Sequence, residues 1–306
     1  MNVLRLARAG LLALALGCGA HAQAGLPAMC DRALDIDAAG QDRVLRFAGA
    51  VKAELERGGE DVALIARAGL DLSRFGLLYS HAGIALRDNP AGPWAVRQLY
   101  YACDQSRPRL FDQGIAGFAL GAETPRHGHV TLLFPPAPAG AQLARAALDK
   151  RQALALLGAR YSADAYAFGT RYQNCNQWVA ELLASAWDAA HAGDVAPASR
   201  ARAQAWLRAQ GYEAGPVRIP SHWMMFAGQF VPLVHVDDHP LDDVYALALR
   251  VSVPDAIEAF VRRAAPGTRR VELCHDDARI VVHRGWERLG AECRPLPGDD
   301  VLPFGA

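Results

Sequence analysis

Neither sign of charge is in excess in this chain: Lys and Arg total 32, Asp and Glu total 32, and the formal net charge is zero. That balance argues against a dedicated nucleic-acid binder, which carries a basic surplus. There is no Cys-x-x-Cys pair, which argues against a dithiol redox protein. No set of cysteines and histidines has zinc spacing. The two histidine-rich stretches, His127-Gly128-His129 and His235-Val236-Asp237-Asp238-His239, lie in polar, turn-like surroundings, so neither a metal nor any other cofactor is expected. Past the N-terminus no apolar run is long enough to cross a bilayer. The chain also lacks internal repeats and long low-complexity linkers.

What the chain does have is apolar content and an export-like leader. Hydrophobic residues make up 52% of 306 positions, enough for one large domain or two smaller ones. Arg5 and Arg8 precede an apolar run from Leu11 to Leu16, and the small-x-small triplets Ala20-His21-Ala22 and Ala22-Gln23-Ala24 follow. Basic, then apolar, then small is the order of a secretory signal peptide. Residues 1–24 are therefore expected to direct export to the periplasm or the medium. A lipid anchor on Cys18 is the lesser alternative, because Ala15-Leu16 fits that pattern poorly.

Without Cys18 five cysteines remain: Cys30, Cys103, Cys175, Cys274 and Cys293. In an oxidising compartment an odd count implies two disulfides and one free thiol. The expected partition pairs Cys274 with Cys293 and Cys30 with Cys103, leaving Cys175 free. Five reduced, buried cysteines are the alternative.

Helical periodicity covers residues 42–57, with Val44, Phe47, Val51 and Leu55 on one face. Strands are expected at 62–65, 75–86, 94–101 and 129–134, the second and third joined by the turn Asp88-Asn89-Pro90-Ala91-Gly92-Pro93. Helices are expected at 141–157, 174–187, from there to about 210, and at 254–264. A terminal hairpin is expected from 270–274 and 279–283, turning at Asp276-Asp277. The domain reading is a main domain over 25–235 and a small C-terminal extension or subdomain over 236–306.

Two segments carry chemistry. From Cys175, the apolar residues Trp178, Val179, Leu182, Leu183, Ala186 and Trp187 form one helical stripe. Asn174 is a good N-cap, which puts Cys175 at the first helical position. There unpaired N–H groups and the helix dipole favour a thiolate and offer donors to an oxyanion. The bland alternative is a buried plug, since cysteine is among the most buried residue types. Gln173, Asn174, Asn176 and Gln177 around it favour a polar pocket instead. Glu181 and Asp188 fall off the stripe and are expected in solvent.

The second segment is Tyr79-Ser80-His81-Ala82-Gly83. Strand alternation sets Ser80, Ala82, Ile84 and Leu86 on one face and Tyr79, His81, Gly83 and Ala85 on the other. The small Gly83 and Ala85 are expected to let the cysteine helix approach His81. Ser80, on the opposite face from His81, is a poor nucleophile. A Cys–His pair usually has a third group that orients the imidazole. On the next strand Gln98 is the first choice and Asp104 the second, because Arg97 cannot accept a hydrogen bond.

At these residues the chain resembles the circularly permuted papain-like proteins of the NlpC-like superfamily, which includes lecithin:retinol acyltransferase-like proteins and bacterial envelope proteins. In that group a His-x-Gly strand motif precedes an Asn-Cys helix motif, as His81-Ala82-Gly83 precedes Asn174-Cys175. More closely, Tyr79-Ser80-His81-Ala82-Gly83 with Asn174-Cys175-Asn176-Gln177-Trp178 resembles the uncharacterised bacterial family called domain of unknown function 2145, over roughly residue 30 onward. The resemblance implies an exported bacterial protein and an α+β, permuted papain-like fold, an antiparallel sheet or half-barrel packed against helices. It carries over His81 and Cys175 only, and it implies no substrate.

Two functions follow as expectations. One is a thiol hydrolase or acyltransferase acting on an amide, ester or thioester, with an unknown envelope component as substrate. The other is a silent binding or assembly module on the same scaffold, with Trp94, Tyr100, Tyr101, Trp178 and Trp223 lining a ligand groove.

Overall fold

The computed structural model describes residues 36–121, 126–188 and 198–304. The expected signal peptide over residues 1–24, Cys18 and Cys30 lie outside the described residues. Helix α1 (Ala38–Arg57) starts four residues before the periodicity predicts, because Asp37 caps it by accepting the Gly40 N–H at 2.7 Å. Val44, Phe47, Val51 and Leu55 are its buried stripe. Strand β1 (Val62–Arg67) follows and is buried throughout. Strand β2 (His81–Leu86) is shorter than the 75–86 expected. A 3-10 turn at Ser73–Phe75 closes on Gly76 at φ 72°, and regular pairing with β1 begins only at His81. Strands β3 (Ala95–Ala102) and β4 (Arg107–Gln113) form a hairpin whose second strand the apolar pattern does not reveal.

A short helix α2 (Ile115–Leu120) leads to β5 (Gly128–Phe134). The helix expected at 141–157 is two helices, α3 (Ala139–Leu148) and α4 (Lys150–Ala155). Asp149 breaks it by adopting an extended conformation and capping the second piece through the N–H groups of Arg151 and Gln152. The cysteine helix is α5 (Cys175–Trp187), and α6 (Arg200–Ala209) comes after it. The chain then forms β6 (Val217–Arg218), α7 (His222–Gly228), α8 (Leu241–Tyr245) and β7 (Ala248–Leu249). Helix α9 (Pro254–Ala264) has proline at its first position, where no N–H is missed. Strands β8 (Arg269–His275), β9 (Arg279–Arg284) and β10 (Asp300–Pro303) complete the fold.

The architecture is mixed α+β: one large antiparallel sheet in the order β10-β9-β8-β5-β1-β2-β3-β4, packed against helices. The segment after residue 236, read from sequence as an extension, places β8 to β10 in this same sheet, with β8 hydrogen-bonded along the whole of β5. Each face of the sheet has its own core. Val62, Leu64, Ala82, Ile84, Leu86 and Leu133 pack with Trp178, Leu182 and Leu183 of α5. Ala63, Ile65, Ala85, Val96, Val130 and Leu132 pack with Phe47, Val51 and Leu55 of α1 and Phe118 of α2. At about 2 kcal/mol per fully buried large side chain, these two layers supply the main drive to fold. Among the described residues no helix is long and apolar enough to cross a membrane.

Candidate functional site

Asn174 caps α5 as the sequence implies, its Oδ1 accepting the Gln177 N–H at 2.7 Å. Its Nδ2 donates to the carbonyls of Ala163 and Ser252 at 3.2 and 3.3 Å, so the cap is itself held in place. Cys175 is therefore the first residue of the helix. Among the described residues it is the free cysteine. Cys274 and Cys293 are bonded to each other. Cys103 is also disulfide-bonded, and Cys30, its expected partner, lies outside the described residues.

The thiol is buried, and two effects compete on it. Burial pushes its pKa up, while N–H groups of Asn176, Ala82 and Cys175 itself and the positive charge of Arg67 pull it down. Burial wins, leaving the pKa at about 11. The helix terminus acts in the direction expected, but by less than the cost of desolvation. The Tyr161 phenol also hydrogen-bonds the sulfur.

His81 opens β2, and its Nε2 lies 2.7 Å from Gln98 Oε1 on β3. An amide oxygen only accepts, so Nε2 carries the proton and Nδ1 keeps the lone pair. Gln98 is oriented in turn by donating from Nε2 to Gln113 Oε1 at 2.8 Å. The imidazole stacks obliquely on Tyr100 at 4.8 Å and on Phe118 at 5.9 Å. Burial, and then the nearby Arg67, lower its pKa to about 3 against the opposing effect of the Gln98 bond. Asp104, the second choice, is exposed in the turn after β3 and accepts from Gln105 instead.

The faces differ from the expectation. Helix α5 packs on the Ala82–Ile84–Leu86 face of β2, so Cys175 shares a core with Ala82, whereas His81 meets Phe118 of the opposite core. Gly83 does not admit the helix. It admits β3: a Cβ there would lie 2.6 Å from Val96 Cγ1 and 3.2 Å from Gln98 Cβ. What links the two is the strand itself, through Ala82, rather than a shared face. Pairing of β2 with β3 covers only Ile84–Leu86. In the unpaired stretch before it, the Ala82 N–H, one residue past His81, turns to the Cys175 sulfur. Asn176 Nδ2 adds a bond to Ser80 O at 3.2 Å.

Matching the chain to protein families finds one described as an uncharacterized protein conserved in bacteria, DUF2145, over residues 54–261. The chain belongs to this family. Comparisons with curated proteins and with solved structures return no match. The DUF2145 segment runs from the end of α1 to α9 and so includes Cys175, His81 and Gln98, while β8 to β10 fall beyond it.

Within the DUF2145 segment several side chains do other work than the sequence suggested. Two of the four amides around Cys175 hold neighbouring segments: Gln177 Nε2 donates to the carbonyls of Tyr166, Ala167 and Gly169, each at 3.1 Å, and Gln173 Nε2 to Leu156 O and Glu181. Glu181 is fully buried rather than solvated, paired with Arg200 at 2.9 Å and Gln204 at 2.7 Å. Of the aromatic residues expected in a groove, Trp94 and Trp178 are core, and Trp223 stands exposed on α7 beside Phe226. Tyr100 and Tyr101 remain near the site, against His81 and Tyr161. His235 stacks on Tyr172, and His239 Nε2 bonds Asp164 O.

Sequence reasoning missed Arg67. It is opposite His81 in the β1–β2 register and buried, and it donates to Gly121 O, Ala68 O and the Tyr100 hydroxyl. Its guanidinium also covers the Phe118 ring at 5.4 Å. An arginine at the end of an otherwise apolar strand, Val-Ala-Leu-Ile-Ala-Arg, is the signal that points to it.

Proposed function

We propose that this DUF2145 protein is an exported thiol hydrolase or acyltransferase of the permuted papain-like, NlpC-like kind, acting in the periplasm or outside the cell. The observation that carries the reading is the oriented imidazole: His81 Nε2 bonded to Gln98 Oε1 at 2.7 Å, on the strand whose Ala82 N–H reaches the Cys175 sulfur. A disulfide in the same chain suits an oxidising compartment.

With the thiol near 11 and the imidazole near 3, the resting pair is neutral at pH 7. The chemistry is then general-base catalysis rather than attack by a standing thiolate. His81 Nδ1 takes the thiol proton as the sulfur bonds to an amide, ester or thioester carbonyl. The N–H groups at the start of α5 hold the oxyanion. The proton passes to the leaving amine, alcohol or thiol, and a thioester remains on Cys175. Water hydrolyses it, or a second nucleophile takes the acyl group. An envelope component is the substrate this location suggests.

The second reading is a silent binding module on the same scaffold. The raised thiol pKa favours it. The deciding experiment is alkylation of the folded, unreduced protein by a thiol reagent from pH 5 to 9, with the modified cysteine mapped by mass, followed by amide, ester and thioester activity probes. Acylation of Cys175 that is lost in His81→Gln supports the enzyme. A Cys175 silent to every acyl probe supports the binding module.

A further inference from the structure

Four arginines are buried among the described residues: Arg67, Arg97, Arg200 and Arg270. Three have carboxylates in contact. Arg97 pairs with Asp112 at 2.7 Å, Arg200 with Glu181 at 2.9 Å, and Arg270 with Glu272 at 2.9 Å and Glu258 at 3.0 Å. Arg67 has none within 4.0 Å among the described residues; its acceptors are two carbonyls and a phenol, all neutral. Its buried Nε has no hydrogen-bond partner among the described residues. A buried cation without a counter-ion is costly, and proteins usually pair one.

The location gives the imbalance a purpose. Arg67 is opposite His81 in the strand register, and both side chains touch Tyr100 and Phe118. We propose that the missing negative charge arrives with the ligand: the site takes an acyl compound bearing a carboxylate, and Arg67 neutralises it. This rests on the reading of Cys175 as a nucleophile and adds a substrate class to it. The positive charge of Arg67 already reaches both reactive groups, since it lowers the pKa of the Cys175 thiol and of the His81 imidazole. In the resting site both groups are neutral, so neither offsets the guanidinium.

The test uses two alkylators of nearly equal size, iodoacetate and iodoacetamide, which differ in one negative charge. In each the sulfur forms a C–S bond as iodide leaves and the thiol proton goes to solvent. The rate ratio of iodoacetate to iodoacetamide at Cys175, divided by the same ratio for N-acetylcysteine, is expected to exceed one by about tenfold, the scale of local anion enrichment by a low-dielectric cationic site. Arg67→Lys retains the preference and Arg67→Gln loses it. A wild-type ratio at or below that of the free thiol overturns the proposal, and so does an Arg67→Gln variant that slows both reagents equally, which would make Arg67 a partner of the thiolate alone. Glu123, two residues past Gly121, lies outside the described residues. A preference that appears only in Glu123→Gln would make that carboxylate the counter-ion and also overturn the proposal. If Cys175 reacts with neither reagent, it is the nucleophile reading that falls. The anion site is then decided by melting temperature in acetate against chloride at equal ionic strength, where the absence of an Arg67-dependent rise overturns it.

Discussion

The Tyr79 hydroxyl donates a hydrogen bond to the Glu272 carboxylate, joining residues 193 positions apart in the buried interior. Glu272 also pairs with Arg270 at 2.9 Å and accepts the Leu289 N–H at 2.9 Å. Tyr79 stands two residues before His81, so the entry to the histidine strand is tied to β8, outside the segment that defines the family. Tyr79→Phe keeps the ring and removes the bond to a charged acceptor. It is expected to cost about 1.5–3 kcal/mol in urea unfolding. No change in the midpoint would show that the bond contributes nothing.

His81 ties stability to acid. Its folded pKa, about 3, is below its ordinary value of 6.5, so the unfolded chain binds the proton first as pH falls. The contribution is complete above pH 6.5 and is lost progressively toward pH 3. By pH 4.5 the loss is on the order of 2–3 kcal/mol. His275, lowered to about 4 by burial, adds a smaller share. In His81→Gln the slope of unfolding free energy against pH is expected to shrink to the part due to His275, His129 and the lowered carboxylates Asp112 and Asp276. An unchanged slope would place the titration elsewhere.

The thiol works in the opposite direction. Its folded pKa is raised, so its contribution is complete below the ordinary thiol range and is lost as pH rises toward about 11. The alkylation rate of Cys175 by a neutral reagent should still rise almost in proportion to hydroxide at pH 10, where the rate of an unperturbed thiol is already bending toward its plateau. Cys175→Ala should abolish acyl-probe labelling and leave stability within about 1 kcal/mol. Equal loss of folded protein in that variant would assign the cysteine a structural role.

Gln98→Glu puts a carboxylate where an amide oxygen accepts from His81. The imidazolium then gains an opposite charge, and the His81 pKa should rise from about 3, as read from ring chemical shifts during an NMR pH titration. A histidine that titrates as in the wild type would mean the two side chains are apart in solution.

Arg200→Met strands Glu181 in the core without a cation. The expected cost is about 3–5 kcal/mol in denaturant unfolding. Adding Glu181→Gln should return part of it, and a double variant no more stable than the single one would sink the account.

Local signals were legible in the sequence. Asn174 and the apolar stripe marked the start of α5, the proline of α9 marked its first turn, and the short Cys274–Cys293 spacing marked a disulfide. Arg97 could be set aside because only an acceptor fits an imidazole N–H, and of the two acceptors left, Gln98 is the one bonded to His81. What failed depends on distant parts of the chain. Glu181 looks like a surface residue until Arg200 and Gln204, 19 and 23 positions on, are folded against it. Every residue of β2 is buried, so the strand's own alternation does not tell which of its faces takes α5. The single helix expected over 141–157 is two because Asp149 gains more by capping than by continuing.

The position of β8 inside the sheet has a consequence for how the chain is made. Strand β5 bonds β1 on one edge and β8 on the other, and β8 begins at residue 269. As the polypeptide emerges from its N-terminus, β5 waits with one row of amides and carbonyls open until nearly the whole chain is out. Contacts of such long sequence separation form slowly, and an apolar strand with a free edge recruits other strands meanwhile. A chain cut at residue 261, where the family match ends, would keep Cys175 and His81 and leave that edge open for good. Its first failing would be self-association.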